Sequence, residues 1–163
     1  MTDSAITDPF VELRARMPHP AFLLEGGMDA LSALSAAASA GGIATPLAHL
    51  ISLRASQINS CSWCTVEHTR EMRQEDGATD EKIAAVAAWR DAPYFSATER
   101  AVLELTEAVT RLADRADPVS DRLWAELTEL FSTRQIASLL FSISAINAWN
   151  RINAAIRQPA GQR

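Results

Sequence analysis

The sequence predicts an all-α domain, and three observations carry that prediction. Ala, Leu, Glu and Arg are abundant, β-branched runs are few, and Pro and Gly fall at intervals that suit helices rather than strands. About seven or eight helices fit between those breaks. With 163 residues and 48% hydrophobic content, the chain is read as one globular domain over 1–163. Residues 1–44 form an N-terminal helical extension and 45–157 a core.

Each element follows from a local signal. A short first helix is expected from near Asp8-Pro9, and the loop Pro18-His19-Pro20, with His19 as a solvated or loop-packing residue, leads to an Ala/Leu-rich helix from about Met28 to Ala40. Gly41-Gly42 stops that helix. Thr45-Pro46 opens the next, with Pro at its first position. There Leu47, Leu50, Ile51 and Ile58 recur at helical spacing as the buried face. His49, Ser52, Ser56 and Asn59 make a polar face running toward the cysteines. Asn59-Ser60 reads as a junction, with Ser60 the N-cap of a helix that carries Cys61 through about Asp76 and ends at Gly77.

Further starts are Thr79 before Asp80 and Glu81, the capping box Ser96-x-x-Glu99, the stretch from Asp117-Pro118 to Ser120-Asp121, and the capping box Ser132-x-x-Gln135. Ile136, Leu139, Leu140, Ile143, Ile146 and Ile152 then describe a long apolar helix, for the core or a subunit interface. Trp63, Trp89, Trp124 and Trp149 are assigned to core, and the tail from Gln158 is expected to fray.

Charge narrows the partners. Twenty Asp+Glu stand against 15 Lys+Arg for a net charge of -5, and no basic block offers a nucleic-acid footprint. The start Met1-Thr2-Asp3-Ser4-Ala5-Ile6-Thr7-Asp8 lacks the basic and apolar regions of a secretory signal, and no apolar segment approaches the ~20 residues that span a bilayer. The expectation is a soluble, cytoplasmic protein with neither nucleic-acid nor membrane partners.

The chemistry concentrates at Cys61-Ser62-Trp63-Cys64-Thr65-Val66-Glu67-His68, which holds both cysteines of the chain. At about 3.6 residues per turn, Cys61, Cys64 and His68 share one helix face. In a reducing compartment so close a pair is more often catalytic or metal-binding than structural. Only a thiolate attacks a peroxide, and the sequence offers three aids: a helix N-terminus, an imidazole at i+4 from Cys64, and a second sulfur to trap the oxidised product. His68 lies one turn from Cys64 but two turns, roughly 10 Å of rise, from Cys61. Spacing therefore favours Cys64 as the attacking sulfur. Cys61 would help protonate the leaving alkoxide and then condense with the Cys64 sulfenic acid, leaving a disulfide for an external dithiol to reduce. Alternatives are half a zinc site completed by His49, against which stands the absence of a second close ligand pair, and a structural pair of buried thiols.

The run from Leu50 to His68, with Ala87-Ala88-Trp89-Arg90, Phe95-Ser96-Ala97-Thr98-Glu99-Arg100-Ala101 and Ile146-Asn147-Ala148-Trp149-Asn150-Arg151, resembles the AhpD-like alkylhydroperoxidases of the carboxymuconolactone decarboxylase superfamily. Likeness covers most of the chain from about Thr45 onward, and the first forty or so residues add little. The resemblance implies an all-helical fold in homo-oligomers, often trimers or hexamers, that reduces organic hydroperoxides or hydrogen peroxide with no metal, haem or other cofactor. It also implies the same roles for Cys64 and Cys61 and places the motif histidine on His68.

One position departs. Relatives usually carry, twelve residues before the first cysteine, a glutamate that relays protons with the motif histidine; here that position is His49. A reversal at Asn59-Ser60 would bring His49 across from the His68 to Glu71 region, so it should meet His68 before it meets sulfur. A carboxylate would hold the tautomer of His68, whereas a second imidazole is neutral or repulsive once protonated. The expectation is weaker, more pH-sensitive activity, increased by His49→Glu, with Glu71 or Glu67 as stand-ins. A redox sensor or thiol-disulfide partner protein, and carboxymuconolactone decarboxylation, are the competing functions.

Overall fold

The computed structural model describes residues 13–114 and 116–161. Among them are eight α-helices and no strand: α1 (Pro20–Leu23), α2 (Gly27–Ser39), α3 (Thr45–Ile58), α4 (Ser62–Gln74), α5 (Asp80–Ala85), α6 (Ala97–Thr110), α7 (Asp121–Leu130) and α8 (Thr133–Ala155). Helix α5 runs on into a 3-10 turn over Val86–Asp91, and a shorter one covers Leu112–Asp114. The start expected near Asp8-Pro9 lies outside the described residues. Helix α1 falls where a loop was expected: the His19 side chain accepts from the Ala21 N–H and caps a single turn beginning at Pro20.

The predicted caps explain most boundaries. Thr79, Ser96, Ser120 and Ser132 each accept a backbone N–H from their own helix, and Ser96–Glu99 and Ser132–Gln135 close reciprocal boxes. Two starts differ by a residue. Ala44 is the N-cap of α3, which places Pro46 second in the helix, and Cys61 rather than Ser60 caps α4.

Ser60 has a different task. Its φ of 55° is left-handed, its N–H donates to Gln57 O at 3.3 Å, and the next N–H, of Cys61, donates to Ser56 O at 3.0 Å. That is a Schellman termination with serine where glycine is usual, and it folds α3 back on α4. Helix α8 ends the same way: Arg157 has φ 55°, its N–H donates to Ala154 O at 3.1 Å, and Gln158 N–H donates to Asn153 O at 2.9 Å. The expected fraying from Gln158 therefore does not hold for Gln158 and Pro159. Ser62 Oγ donates to Gln158 O and Pro159 is buried, so the segment after α8 is pinned over the start of α4.

Helix α3 is the centre of the fold and packs against α4, α6 and α8. One cluster gathers Ile51, Leu105, Leu123, Leu127, Leu139 and Ile143, and a second gathers Leu50, Leu53, Val86, Trp89 and Leu103. Each such side chain contributes about 1.5–3 kcal/mol when taken from water. Leu50 and Ile51 are buried as expected, while Leu47 and Ile58 are half-buried. With helices on several sides, α3 also buries polar residues. Arg54 donates through Nε and Nη2 to Glu107 Oε1 at 2.9 and 2.6 Å, Trp89 Nε1 adds a bond to the same oxygen, and Arg90 takes Oε2. The guanidinium enters the core because its partner is already there.

Helix α2 lies along α8, so residues 27–39 pack with the core although the sequence placed them in an extension. Trp89 is in the core as expected; Trp124 is 44% exposed, because it lies on the solvent side of α7.

Candidate active site

The α3–α4 reversal delivers both cysteines to one place. Cys61 is the N-cap of α4, and its Sγ accepts the Cys64 N–H at 3.3 Å, as a serine oxygen would. The two are joined as a disulfide with a Cα–Cα distance of 5.4 Å. Both are buried, at 2% and 1% exposure. They differ in what they face. Cys64 lines a cavity of about 550 Å³, together with Trp63, Glu67, His68 and Glu71 of α4 and His49 of α3; Cys61 is not on its wall.

Acidic groups organise the two histidines. His68 Nδ1 lies 2.6 Å from Glu71 Oε2, and His49 Nε2 lies 4.0 Å from the same oxygen. On its other side His49 Nδ1 meets both oxygens of Asp76, at 3.1 and 3.0 Å, and Nε2 is 3.8 Å from Glu75. His49 thus lies across from the Glu71 to Asp76 region, a little further along α4 than expected, and it reaches His68 through a shared carboxylate. Burial pushes the Glu71 carboxyl up, but the hydrogen bond and charge of His68, with His49 and Arg70 behind them, outweigh it and hold the group below its usual range. Glu67 is paired with Arg70 at 2.5 Å. Of the two carboxylates considered as stand-ins, Glu71 is the one on His68.

Helices α2 and α8 close the far side. Ser35, Ala38 and Ser39 come from α2, and Ser142, Ile146 and Trp149 from α8, with Trp149 Nε1 donating to Ser35 Oγ at 3.3 Å. The sequence reading missed this wall because it treated α2 as peripheral and Trp149 as core filling. It also missed Asn153, whose Nδ2 donates to Cys64 Sγ at 3.4 Å. Asn153 continues a buried polar row on α8. Asn59 Nδ2 donates to the side-chain oxygens of Asn147 and Asn150, each at 3.0 Å, and Asn150 Nδ2 donates to Ser56 Oγ at 3.1 Å. The available signal was the three-residue spacing of Asn147, Asn150 and Asn153, which puts three amides on one side of the helix.

Among the described residues no group of three or more His, Cys, Asp or Glu is disposed to hold a metal ion. Nor is any helix there long and apolar enough to cross a membrane.

Residues 26–108 match the family model described as the carboxymuconolactone decarboxylase family. The chain belongs to that family. The match begins just ahead of α2, so the family likeness reaches well into the first forty-four residues. Within the carboxymuconolactone decarboxylase family the chain is AhpD-like. It is 34% identical over 114 residues to the protein YdfG of Bacillus subtilis (strain 168), covering 70% of this chain and 76% of that one. A crystal structure from Agrobacterium tumefaciens, of a protein of unknown function assigned to antioxidant defence as AhpD, superposes with TM-score 0.83 at 32% identity over 92% of this chain and 100% of that one. The debrominase Bmp8 shares the fold, with TM-score 0.73 at 19% identity over 86% of this chain and 74% of that one.

Proposed function

We propose that this protein reduces organic hydroperoxides or hydrogen peroxide through a Cys61/Cys64 dithiol-disulfide cycle, with Cys64 as the attacking sulfur. The observation that carries the reading is the shared cavity: Cys64, His68, Glu71 and His49 line one pocket while Cys61 stands behind it. The pocket's size and the apolar Ala145, Ile146 and Trp149 of its α8 wall suit an organic hydroperoxide.

In the reduced state His68 takes the Cys64 proton, and Glu71 accepts the hydrogen bond of the imidazole's other nitrogen. The thiolate attacks the terminal oxygen of ROOH; the O–O bond breaks, sulfur becomes the sulfenic acid, and RO⁻ takes a proton to leave as ROH. His68 returns that proton, since Cys61 does not face the cavity. Cys61 sulfur then displaces hydroxide from the Cys64 sulfenic acid, which departs as water and leaves the disulfide. An external dithiol restores two thiols and is itself oxidised. Substrate entry through the cavity, assembly into homo-oligomers and a dithiol partner belong to the same proposal. A debrominase on this fold and the decarboxylase in the family name show that the scaffold hosts other reactions; Cys64 on the cavity wall, with Cys61 bonded to it, is what favours peroxide here.

The test is stopped-flow oxidation of the reduced protein by hydrogen peroxide and by cumene hydroperoxide, with mass spectrometry of both sulfurs. One disulfide per peroxide consumed, abolished by Cys64→Ser, is expected. No disulfide at stoichiometric peroxide, or carboxymuconolactone decarboxylation that persists in the double serine variant, defeats the proposal.

A further inference from the structure

The scheme above gives no work to Asn153, yet this side chain is 4% exposed and points its amide nitrogen at Cys64 Sγ, 3.4 Å away. We propose that Asn153 is a further catalytic residue, which donates an N–H to the Cys64 sulfur and holds it as thiolate in the reduced protein. The assignment of Cys64 as the sulfur that meets peroxide rests on the function proposed above; stabilisation of the thiolate does not.

Three observations support it. First, a buried amide N–H is costly unless it has an acceptor, and the acceptor here is sulfur. A disulfide sulfur or a thiol accepts weakly. A thiolate accepts strongly, because a bond to an ionised partner is roughly twice as strong as a neutral one. The contact therefore favours the charged form.

Second, Asn153 is built to stay in place. It sits on the last turn of α8, where its carbonyl accepts the Gln158 N–H at 2.9 Å, and Gln158 O in turn holds Ser62 Oγ beside the cysteines. The donor is thereby tied at both ends to the segment it serves, and little ordering remains to be done when the thiol ionises.

Third, Asn153 reaches the sulfur from outside the cavity wall and supplies a neutral donor that the wall does not. The titratable and charged groups facing it are Glu67, His68 and Glu71 of α4 and His49 of α3, while α2 and α8 present Ser, Ala, Ile and Trp. Both carboxylates are already paired, Glu71 with His68 and Glu67 with Arg70, so neither of those bases is free to serve the sulfur alone. A neutral donor from α8 favours the anion without adding a charge that would draw the carboxylates away from the histidines.

The test reads Cys64 without peroxide. In a Cys61→Ser background, the pH dependence of iodoacetamide alkylation reports ionisation of Cys64 alone. Asn153→Leu, close in volume but without a donor, should move the midpoint upward and slow alkylation at neutral pH by about tenfold. Asn153→Asp should move it further, since an ionised carboxylate would face the thiolate. Unmoved midpoints in folded variants overturn the assignment. A measurement that needs no change at Asn153 keeps the test open if both variants misfold: the Asn153 side-chain amide resonance should titrate with the Cys64 midpoint, and a flat trace also overturns it. Normal peroxide turnover of the unaltered protein with an unmoved midpoint in the Asn153 variants removes this inference and leaves the proposed function; a moved midpoint with no turnover of the unaltered protein does the reverse.

Discussion

The carboxylate of Glu71 lies 2.6 Å from Nδ1 of His68. The carboxyl is held below its usual range, chiefly by that bond against the opposing effect of burial, so it is ionised and can only accept. Nδ1 then carries the proton, and Nε2 is the nitrogen left to act as base. Glu71→Gln should weaken this arrangement while keeping its shape. Peroxide turnover near neutral pH should fall about tenfold, the rate equivalent of about 1.4 kcal/mol. Single-turnover kinetics at saturating hydroperoxide would check it, and an undiminished rate would remove Glu71 from the relay.

His49→Glu separates the structural reading from the sequence one. Sequence reasoning expected this change to raise turnover by restoring the family's usual carboxylate. The structure surrounds His49 with Asp76, Glu71 and Glu75, so a carboxylate there faces three like charges and takes none of the hydrogen bonds that the imidazole makes. We expect a loss of about 1 kcal/mol in stability, measured by urea titration at pH 7, and turnover no higher than in the unaltered protein. A faster enzyme would restore the original relay argument.

How far the sequence carried follows from how local each signal was. Caps at Thr79, Ser96, Ser120 and Ser132 act within one turn, and the structure keeps all of them. The cysteine motif placed Cys64 and His68 one turn apart on the same helix for the same reason. Asn153 and Cys64 are 89 residues apart, and Trp149 and Ser35 are 114 apart. No periodicity within one helix encodes which face of α8 meets the start of α4. Ser60 misled for a subtler reason: serine is a good N-cap and an unusual left-handed residue, and the hydrogen bonds to Gln57 and Ser56 hold it in the unusual role.

Glu107 should make the fold acid-sensitive. Burial alone would raise its carboxyl, but bonds from Trp89, Arg90 and Arg54 prevail and lower it below the usual 4.5. A group whose folded value is depressed contributes stability that is fully present above its unfolded value and is lost as pH falls through the folded one. Glu107→Gln leaves the Arg54 guanidinium buried without its counter-charge and should lose about 3 kcal/mol at pH 7. The difference between the two proteins should then shrink below pH 4.5. Urea unfolding at pH 7 and at pH 3 measures both; a gap that is the same at the two values would show that charge is not what Glu107 supplies.

Gly41 links packing to the cavity. A Cβ added there would lie 2.2 Å from Ser138 Cβ and 2.8 Å from Ser138 Oγ, so the junction after α2 can approach α8 only while this residue has no side chain. Arg134 Nη2 donates to Ala40 O at 2.8 Å, and Ser138 Oγ donates to Ala38 O, which fixes the approach. Gly41→Ala must push α2 outward, at about 2 kcal/mol. Because α2 supplies Ser35, Ala38 and Ser39 to the cavity wall, the KM for a bulky hydroperoxide should rise several-fold while that for hydrogen peroxide changes little. Ser138→Gly in the same chain removes the clashing Cβ and should bring KM back toward the unaltered value, although stability stays low because the Ser138–Ala38 hydrogen bond is lost and a glycine enters α8. Gly42→Ala is the control. Gly42 has φ 82° and open space around its Cβ position, so substitution there strains the backbone by about 1 kcal/mol without moving the wall. Equal KM values in the two folded alanine variants would separate α2 from substrate binding.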